Sequence, residues 1–222
     1  MPRVLVTGAG RGIGLEFARQ YAAEGWEVIA TVRDSGKTDA LAGLGARAET
    51  LDMRDLAAVA AFHERLAGEP LDLLVANAGI SKAKWIRSLE DAETWQEVHK
   101  VNVVAPTLLA ETLLPLVEAA GGRMAALSSR MGSIADSSGG YIGYRSSKAA
   151  LNAAWRALAL GWSERPVTLL LLHPGWVRTD MGGPQAPLPV EESVAGLRRV
   201  IAGLPRSQSG AFVDHRGEAV PW

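Results

Sequence analysis

Arg3-Val4-Leu5-Val6-Thr7-Gly8-Ala9-Gly10-Arg11-Gly12-Ile13-Gly14 lies at the start of the chain, and its reading decides the fold. Residues 3–7 form a short apolar, β-branched run that reads as a strand. The glycines at 8, 12 and 14 let the backbone turn tightly and bring an anion close to main-chain N–H groups. An amphipathic stretch begins at Ile13, so the turn opens a helix whose free amides and positive dipole end suit a pyrophosphate. The spacing is G-x-x-x-G-x-G rather than the G-x-G-x-x-G of the commoner dinucleotide fingerprint. The alternative is a tight strand-to-helix turn with no ligand. In its strand–turn–helix context we read Gly8, Arg11, Gly12, Ile13 and Gly14 as a dinucleotide cradle.

The same rhythm continues along the chain. Strands are expected at 3–7, 26–32, 47–51, 71–76, 122–128, 166–172 and 210–213, and helices near 13–24, 54–67, 91–118, 143–162 and 190–203, with a short one at 36–43. Runs such as Leu71-Asp72-Leu73-Leu74-Val75-Ala76 and Val167-Thr168-Leu169-Leu170-Leu171-Leu172 are almost wholly apolar, as strands buried on both faces of a parallel sheet are. Alternating strands and helices imply right-handed βαβ units. The expected fold is an α/β, Rossmann-type, doubly wound parallel sheet of about seven strands with helices on both faces. The order 3-2-1-4-5-6-7 follows by fold analogy. Residues 1–222 form one domain, because no repeat, linker or low-complexity tract interrupts the pattern. Gly182-Gly183-Pro184-Gln185-Ala186-Pro187-Leu188-Pro189 is the strongest loop candidate, a lid or a plain connector.

The second strand decides which dinucleotide. An NAD site usually places an acidic side chain there, on the ribose 2′-hydroxyl. Here the strand ends Ala30-Thr31-Val32-Arg33-Asp34. A guanidinium at Arg33 suits a 2′-phosphate, and Arg11 adds a second positive charge. Asp34, 20 residues past Gly14, is the competitor that would serve NAD. We expect Arg33 to take the end of the strand and Asp34 to point into the following turn, which favours NADP(H) over NAD(H).

Tyr144-Arg145-Ser146-Ser147-Lys148 sets a phenol and an ammonium at i and i+4, one face of a helix. A free phenol, pKa ~10, is a poor acid–base catalyst at neutral pH. A nearby cation stabilises the phenolate and lowers that value. The competing reading is a Tyr–Lys pair on a solvated helix face.

Together the ordered motifs Thr7–Gly14, Asn77-Ala78-Gly79, Asn102, Ser128-Ser129, Tyr144-x-x-x-Lys148 and Pro174-Gly175-Trp176-Val177-Arg178-Thr179 resemble the short-chain dehydrogenase/reductase family over essentially the whole chain. Their detail is similar to the branch of C-factor-like and sniffer-like carbonyl reductases. The resemblance implies that Tyr144 is the general acid in reduction and that Ser129 hydrogen-bonds the substrate oxygen. Lys148 would hold the nicotinamide ribose and lower the Tyr144 pKa, and Asn102 would hold a water in a relay through Lys148. It further implies Asp52 and Met53 at the adenine, Asn77, Ala78 and Gly79 along the adenine and ribose, and Pro174, Gly175, Val177 and Thr179 at the nicotinamide. The family serine usually stands 13 residues before the tyrosine. Here Ser129 precedes Tyr144 by 15 and Ser133 by 11. A two-residue insertion at 136–140 would favour Ser129, with Ser133 as the fallback.

The remaining composition narrows the function class. A net charge of −1, from 23 basic and 24 acidic residues, gives no bulk attraction to nucleic acid or a membrane surface. The longest apolar runs fall short of the ~18–20 residues of a membrane span. The first residues lack the pattern of a signal peptide, and a cytoplasmic location is expected. The chain has no cysteine, and its four histidines show no ligand spacing, so no metal is expected. Trp155 and Trp162 read as core or interface, while Trp85 and Trp176 follow strand ends and read as substrate-cleft residues. The family's habit implies a homodimer or homotetramer through the helices at 91–118 and 143–162. The expected activity is reversible hydride transfer between NADP(H) and a small carbonyl or alcohol. A dinucleotide-binding signalling or regulatory protein of C-factor type is the alternative.

Overall fold

The computed structural model describes residues 1–222, the Lys37 side chain excepted. Seven strands form one parallel sheet: β1 Arg3–Val6, β2 Glu27–Val32, β3 Arg47–Thr50, β4 Leu73–Ala76, β5 Arg123–Leu127, β6 Thr168–His173 and β7 Ala211–Asp214. Their spatial order is β3-β2-β1-β4-β5-β6-β7, the order expected by analogy. The chain reverses direction across the sheet between β1 and β4, where a doubly wound sheet opens a crevice for a ligand.

Seven α-helices cover the two faces: α1 Gly12–Ala23, α2 Asp39–Ala42, α3 Leu56–Ala60, α4 Leu89–His99, α5 Ala105–Ala120, α6 Ile142–Gly161 and α7 Val190–Gly203. Alternation along each strand feeds two cores. Leu5, Ile29, Leu74 and Met124 pack against Leu109, Leu113, Leu151 and Trp155 of α5 and α6. Val4, Val6, Val28 and Val75 pack against Phe17, Tyr21, Val194 and Leu197 of α1 and α7. Trp155 and Trp162 both belong to the first core.

The stretch read as a single helix at 91–118 is α4 and α5 joined by a π-helical turn over Lys100–Val104. Leu89–Ala120 is long and apolar enough to cross a membrane by composition alone. Its Val98, Val101, Ala105, Leu109, Leu113 and Val117 are buried within the protein, which accounts for that apolarity. The loop at 182–189 is compact. Val177 and Leu188 form a parallel bridge, Leu188 N donates to Trp176 O at 3.2 Å, and Ala186 is buried.

Close approach sets the glycine turn. Gly8 and Gly12 have φ of 67° and 55°, the left-handed region that favours glycine. At Gly14 a Cβ would stand 2.5 Å from Asn77 Nδ2 and closer still to the Gly8 carbonyl oxygen. Gly14→Ala is therefore expected to cost about 3 kcal/mol and roughly 10 °C in Tm. Gly43→Ala, at φ −71° with nothing within 4 Å of the new methyl, should leave Tm unchanged or slightly raised. Equal melting curves for the two variants would refute the close-approach reading.

Candidate active site

The crevice above the C-terminal ends of β1, β4, β5 and β6 collects most of the residues singled out in the sequence. On its adenosine side, Arg33 is exposed at the end of β2, and its charge helps hold Asp52 below the ordinary carboxylate range. Asp34 turns away, its Oδ1 accepting from Gly36 N at 3.1 Å to cap the next turn. Asp52 is clasped by Arg54, whose Nη2 donates to Oδ2 at 2.6 Å, and this bond is the main cause of its low pKa. Met53 is buried in the core.

The Arg11 guanidinium pairs with Asp180 at 2.5 Å, in the segment after β6. The reason is proximity: Gly12 lies against Thr179, where a Cβ would stand 3.4 Å from Thr179 Cγ2. Both partners of the ion pair are largely exposed, so it holds Arg11 only weakly.

Asn77 is a structural tie. Its Nδ2 donates to Thr7 O at 2.8 Å and Gly8 O at 3.2 Å, while the backbone N–H groups of Asn77 and Ala78 both donate to Thr7 Oγ1 at 3.0 Å. These bonds bind the end of β4 to the glycine turn. Gly79 keeps space beside the catalytic candidates, since a Cβ there would sit 3.2 Å from Asn102 Oδ1 and 3.7 Å from Lys148 Nζ.

Asn102 occupies the π-helical turn, a local departure from the α-helix common at functional sites. Its Oδ1 accepts from Ile80 N at 2.9 Å, and its Nδ2 donates to Ile80 O at 2.9 Å and Ser147 Oγ at 3.0 Å. Its side-chain amide thus pins the loop after β4 to α6.

Ser129, Tyr144 and Lys148 converge. Ser129 follows β5, caps the 3-10 turn Arg130–Gly132 by accepting from Met131 N at 3.1 Å, and lies close enough to the Tyr144 phenol to favour its ionised form. Ser133 faces elsewhere: its Oγ donates to Trp222 O at 3.3 Å and accepts from Asp136 N at 3.0 Å. The unusual 15-residue spacing is absorbed before α6, where Gly139, Gly140 and Tyr141 take φ of 81°, 67° and 51° in succession. Gly132 presses this turn onto α6, since a Cβ there would meet Lys148 Cβ at 2.8 Å. The serine pair followed by glycine in Ser128-Ser129-Arg130-Met131-Gly132 was the available signal for that role.

Lys148 is buried, its Nζ donating to Leu127 O at 2.6 Å and standing 5.7 Å from the Tyr144 ring centre. Burial lowers its pKa from 10.5 to about 8. Burial raises the Tyr144 pKa, and the Ser129 hydroxyl opposes the rise. The Lys148 ammonium is turned onto the Leu127 carbonyl and lies beside the Tyr144 ring without hydrogen-bonding the phenol.

Pro174 and Gly175 border the crevice after β6, with Val177 buried and Thr179 Oγ1 accepting from Gly182 N at 3.1 Å. Trp85 and Trp176 are exposed on the loops after β4 and β6, Trp176 Nε1 donating to Gly182 O at 2.8 Å.

Residues 2–187 match the model of the short chain dehydrogenase family. C-signal of Myxococcus xanthus is 42% identical over 164 residues, which are 73% of this chain and 99% of that protein. The NADPH-bound carbonyl reductase from chicken fatty liver superposes with a TM-score of 0.90 at 36% identity, covering 100% of this chain and 99% of the other. The carbonyl reductase Sniffer of D. melanogaster superposes with a TM-score of 0.90 at 29% identity over the full length of both chains.

Proposed function

The chain belongs to the short-chain dehydrogenase family of oxidoreductases, and from that premise we propose that it is an NADP(H)-dependent carbonyl reductase, interconverting a small aldehyde or ketone and its alcohol. The observation that carries the reading is the convergence of Ser129, just past the end of β5, with Tyr144, whose ring centre stands 5.7 Å from the Nζ of the buried Lys148. A binding module has no use for that trio.

The crevice fits the cofactor. Gly8 and Gly12, both at left-handed φ, keep the turn after β1 tight, and the first turn of α1 has no side-chain cap, so its amides are free for a pyrophosphate. Arg33 is exposed and makes no ion pair among the described residues, which suits a 2′-phosphate. The NADPH in the avian carbonyl reductase supports the same choice. When bound, the cofactor supplies the hydride.

The protein's part is positioning and proton transfer. Ser129 Oγ and the Tyr144 hydroxyl converge on one point, where a carbonyl oxygen would receive two hydrogen bonds. Tyr144 donates the proton as negative charge develops on that oxygen. A phenol whose pKa is raised by burial is protonated across the neutral range, the form that reduction requires. Lys148 places a cation beneath the phenol and limits the cost of the phenolate that remains.

NADPH oxidation with a panel of simple aldehydes and ketones tests the proposal. Turnover is expected, with NADPH preferred over NADH by roughly 10–100-fold, the worth of one or two charge-assisted hydrogen bonds. Arg33→Ala should bring that ratio close to one. The likeness to C-signal supports a second reading, a dinucleotide-binding regulator. NADPH binding without turnover of any carbonyl would favour the regulator and sink the reductase.

A further inference from the structure

The cleft mouth carries charge as well as apolar surface. The loops after β4, β5 and β6 leave Trp85, Ile134, Tyr141, Trp176 and Met181 between 44% and 78% exposed. Apolar surface gathered around a polar catalytic trio marks a binding surface for a substrate body. Two of the chain's five lysines and an arginine stand in the loop after β4, Lys82-Ala83-Lys84-Trp85-Ile86-Arg87.

These cations differ in what they meet. Lys82 is paired with Glu97 at 3.3 Å. Lys84 and Arg87 make no ion pair among the described residues and instead lie on aromatic faces. Lys84 Nζ is 5.2 Å from the Tyr141 ring centre, and Arg87 Cζ is 5.3 Å from that of Trp85. The Asp91 carboxylate accepts from the backbone amides of Arg87 and Ser88 at 2.8 and 3.0 Å and makes no ion pair with the Arg87 guanidinium. Stacking fixes a cation over a ring while leaving its outer N–H groups free for an anion.

The loop is also held in register with the catalytic helix. Gly143 N donates to Ala83 O at 2.9 Å and Ile142 N to Lys84 O at 3.3 Å. A Cβ at Gly140 would stand 4.0 Å from the Trp85 ring, four residues before Tyr144. At Gly143 a Cβ would meet that of Ala83 at 2.7 Å, so glycine permits the contact. The two free cations are thereby tethered to the N-terminal turn of α6, which carries the phenol.

We propose that the carbonyl substrate carries a carboxylate, bound by Lys84 and Arg87, at the far end of an apolar or aromatic body that lies along Trp85. The inference rests on the carbonyl-reductase reading and names the charge of its substrate. A neutral carbonyl of the same shape leaves both cations without a partner and is the poorer substrate.

Two matched pairs test this: 4-formylbenzoate with its methyl ester, and the longer 4-formylcinnamate with its methyl ester, all with NADPH. At least one acid should exceed its ester in kcat/KM by about 10-fold or more, mainly through KM, as charge-assisted hydrogen bonds allow. The Lys84→Gln/Arg87→Gln double variant should bring that acid-to-ester ratio near one, while Arg165→Gln, a remote control, keeps it. Raising the salt to 0.5 M should shrink it. Esters equal to or better than acids in both pairs, or a preference that survives the double variant, would overturn the proposal. If no compound is turned over, the reductase reading fails. Calorimetric titration of the NADP⁺-loaded protein with acid and ester then still decides whether the mouth selects the anion.

Discussion

Tyr144→Phe is expected to lower the carbonyl-reduction rate by about 10²–10⁴-fold, the usual worth of a positioned general acid, while leaving Tm within a degree or two. The ring is held by α6 and lies beside Lys148, and both features survive the change. Only the hydroxyl, which lies near Ser129, is lost. Ser129 also retains its bond from Met131 N, so the turn that carries it keeps its cap. Stopped-flow NADPH oxidation under single-turnover conditions measures the chemical step directly. A variant with wild-type rates would remove Tyr144 from the mechanism and, with it, the reductase reading.

Lys148→Met should move activity and pH-dependent stability through different causes. Turnover is expected to fall by at least ~10²-fold, because the cation beneath the phenol is lost. Met nearly preserves side-chain volume, so packing against Gly132 is retained. Stability follows from proton linkage. Burial lowers the folded pKa of Lys148 to about 8 from 10.5. Below pH 8 both folded and unfolded chains hold the proton, and the folded protein carries the full cost of a buried ammonium, roughly 3 kcal/mol. Between pH 8 and 10.5 the unfolded chain binds more protons at this position, so wild-type stability rises with pH relative to the Met variant. Melting both proteins from pH 7 to 10.5 should therefore show the wild type gaining several degrees on the variant. A difference that stays flat would mean the amine is not desolvated as the structure places it.

Much of this architecture was legible in the chain because its signals are local. The glycine turn, the seven apolar strands and the Tyr144–Lys148 spacing each lie within a few residues, where backbone sterics and helical periodicity act directly. Strand ends differed from expectation by one or two residues, as at β4, which starts at Leu73 rather than Leu71. The break between α4 and α5 was not legible. The apolar stripe runs unbroken through Lys100–Val104, and nothing in its pattern marks a π-helical turn.

The site divided in the same way. Ser129 and Ser133 were equally awkward by spacing, and only the path of residues 134–141 turns one to Tyr144 and the other to Trp222. Asn102 was legible as a site residue but not as the tie between Ile80 and Ser147. Arg11 was legible as a cation near the phosphates, yet its partner Asp180 lies 169 residues away.

By itself, then, the amino-acid order determined an alternating α/β chain with a phosphate-binding turn and a phenol one helical turn from an amine, because each depends on near neighbours and on steric rules that hold in any context. The tertiary structure alone decided which serine meets the phenol, where the ammonium points, and which cations at the cleft mouth are left without a carboxylate. Those outcomes depend on distances between segments far apart in the chain, and on desolvation, which exists only once the sheet and its helices have closed around the site.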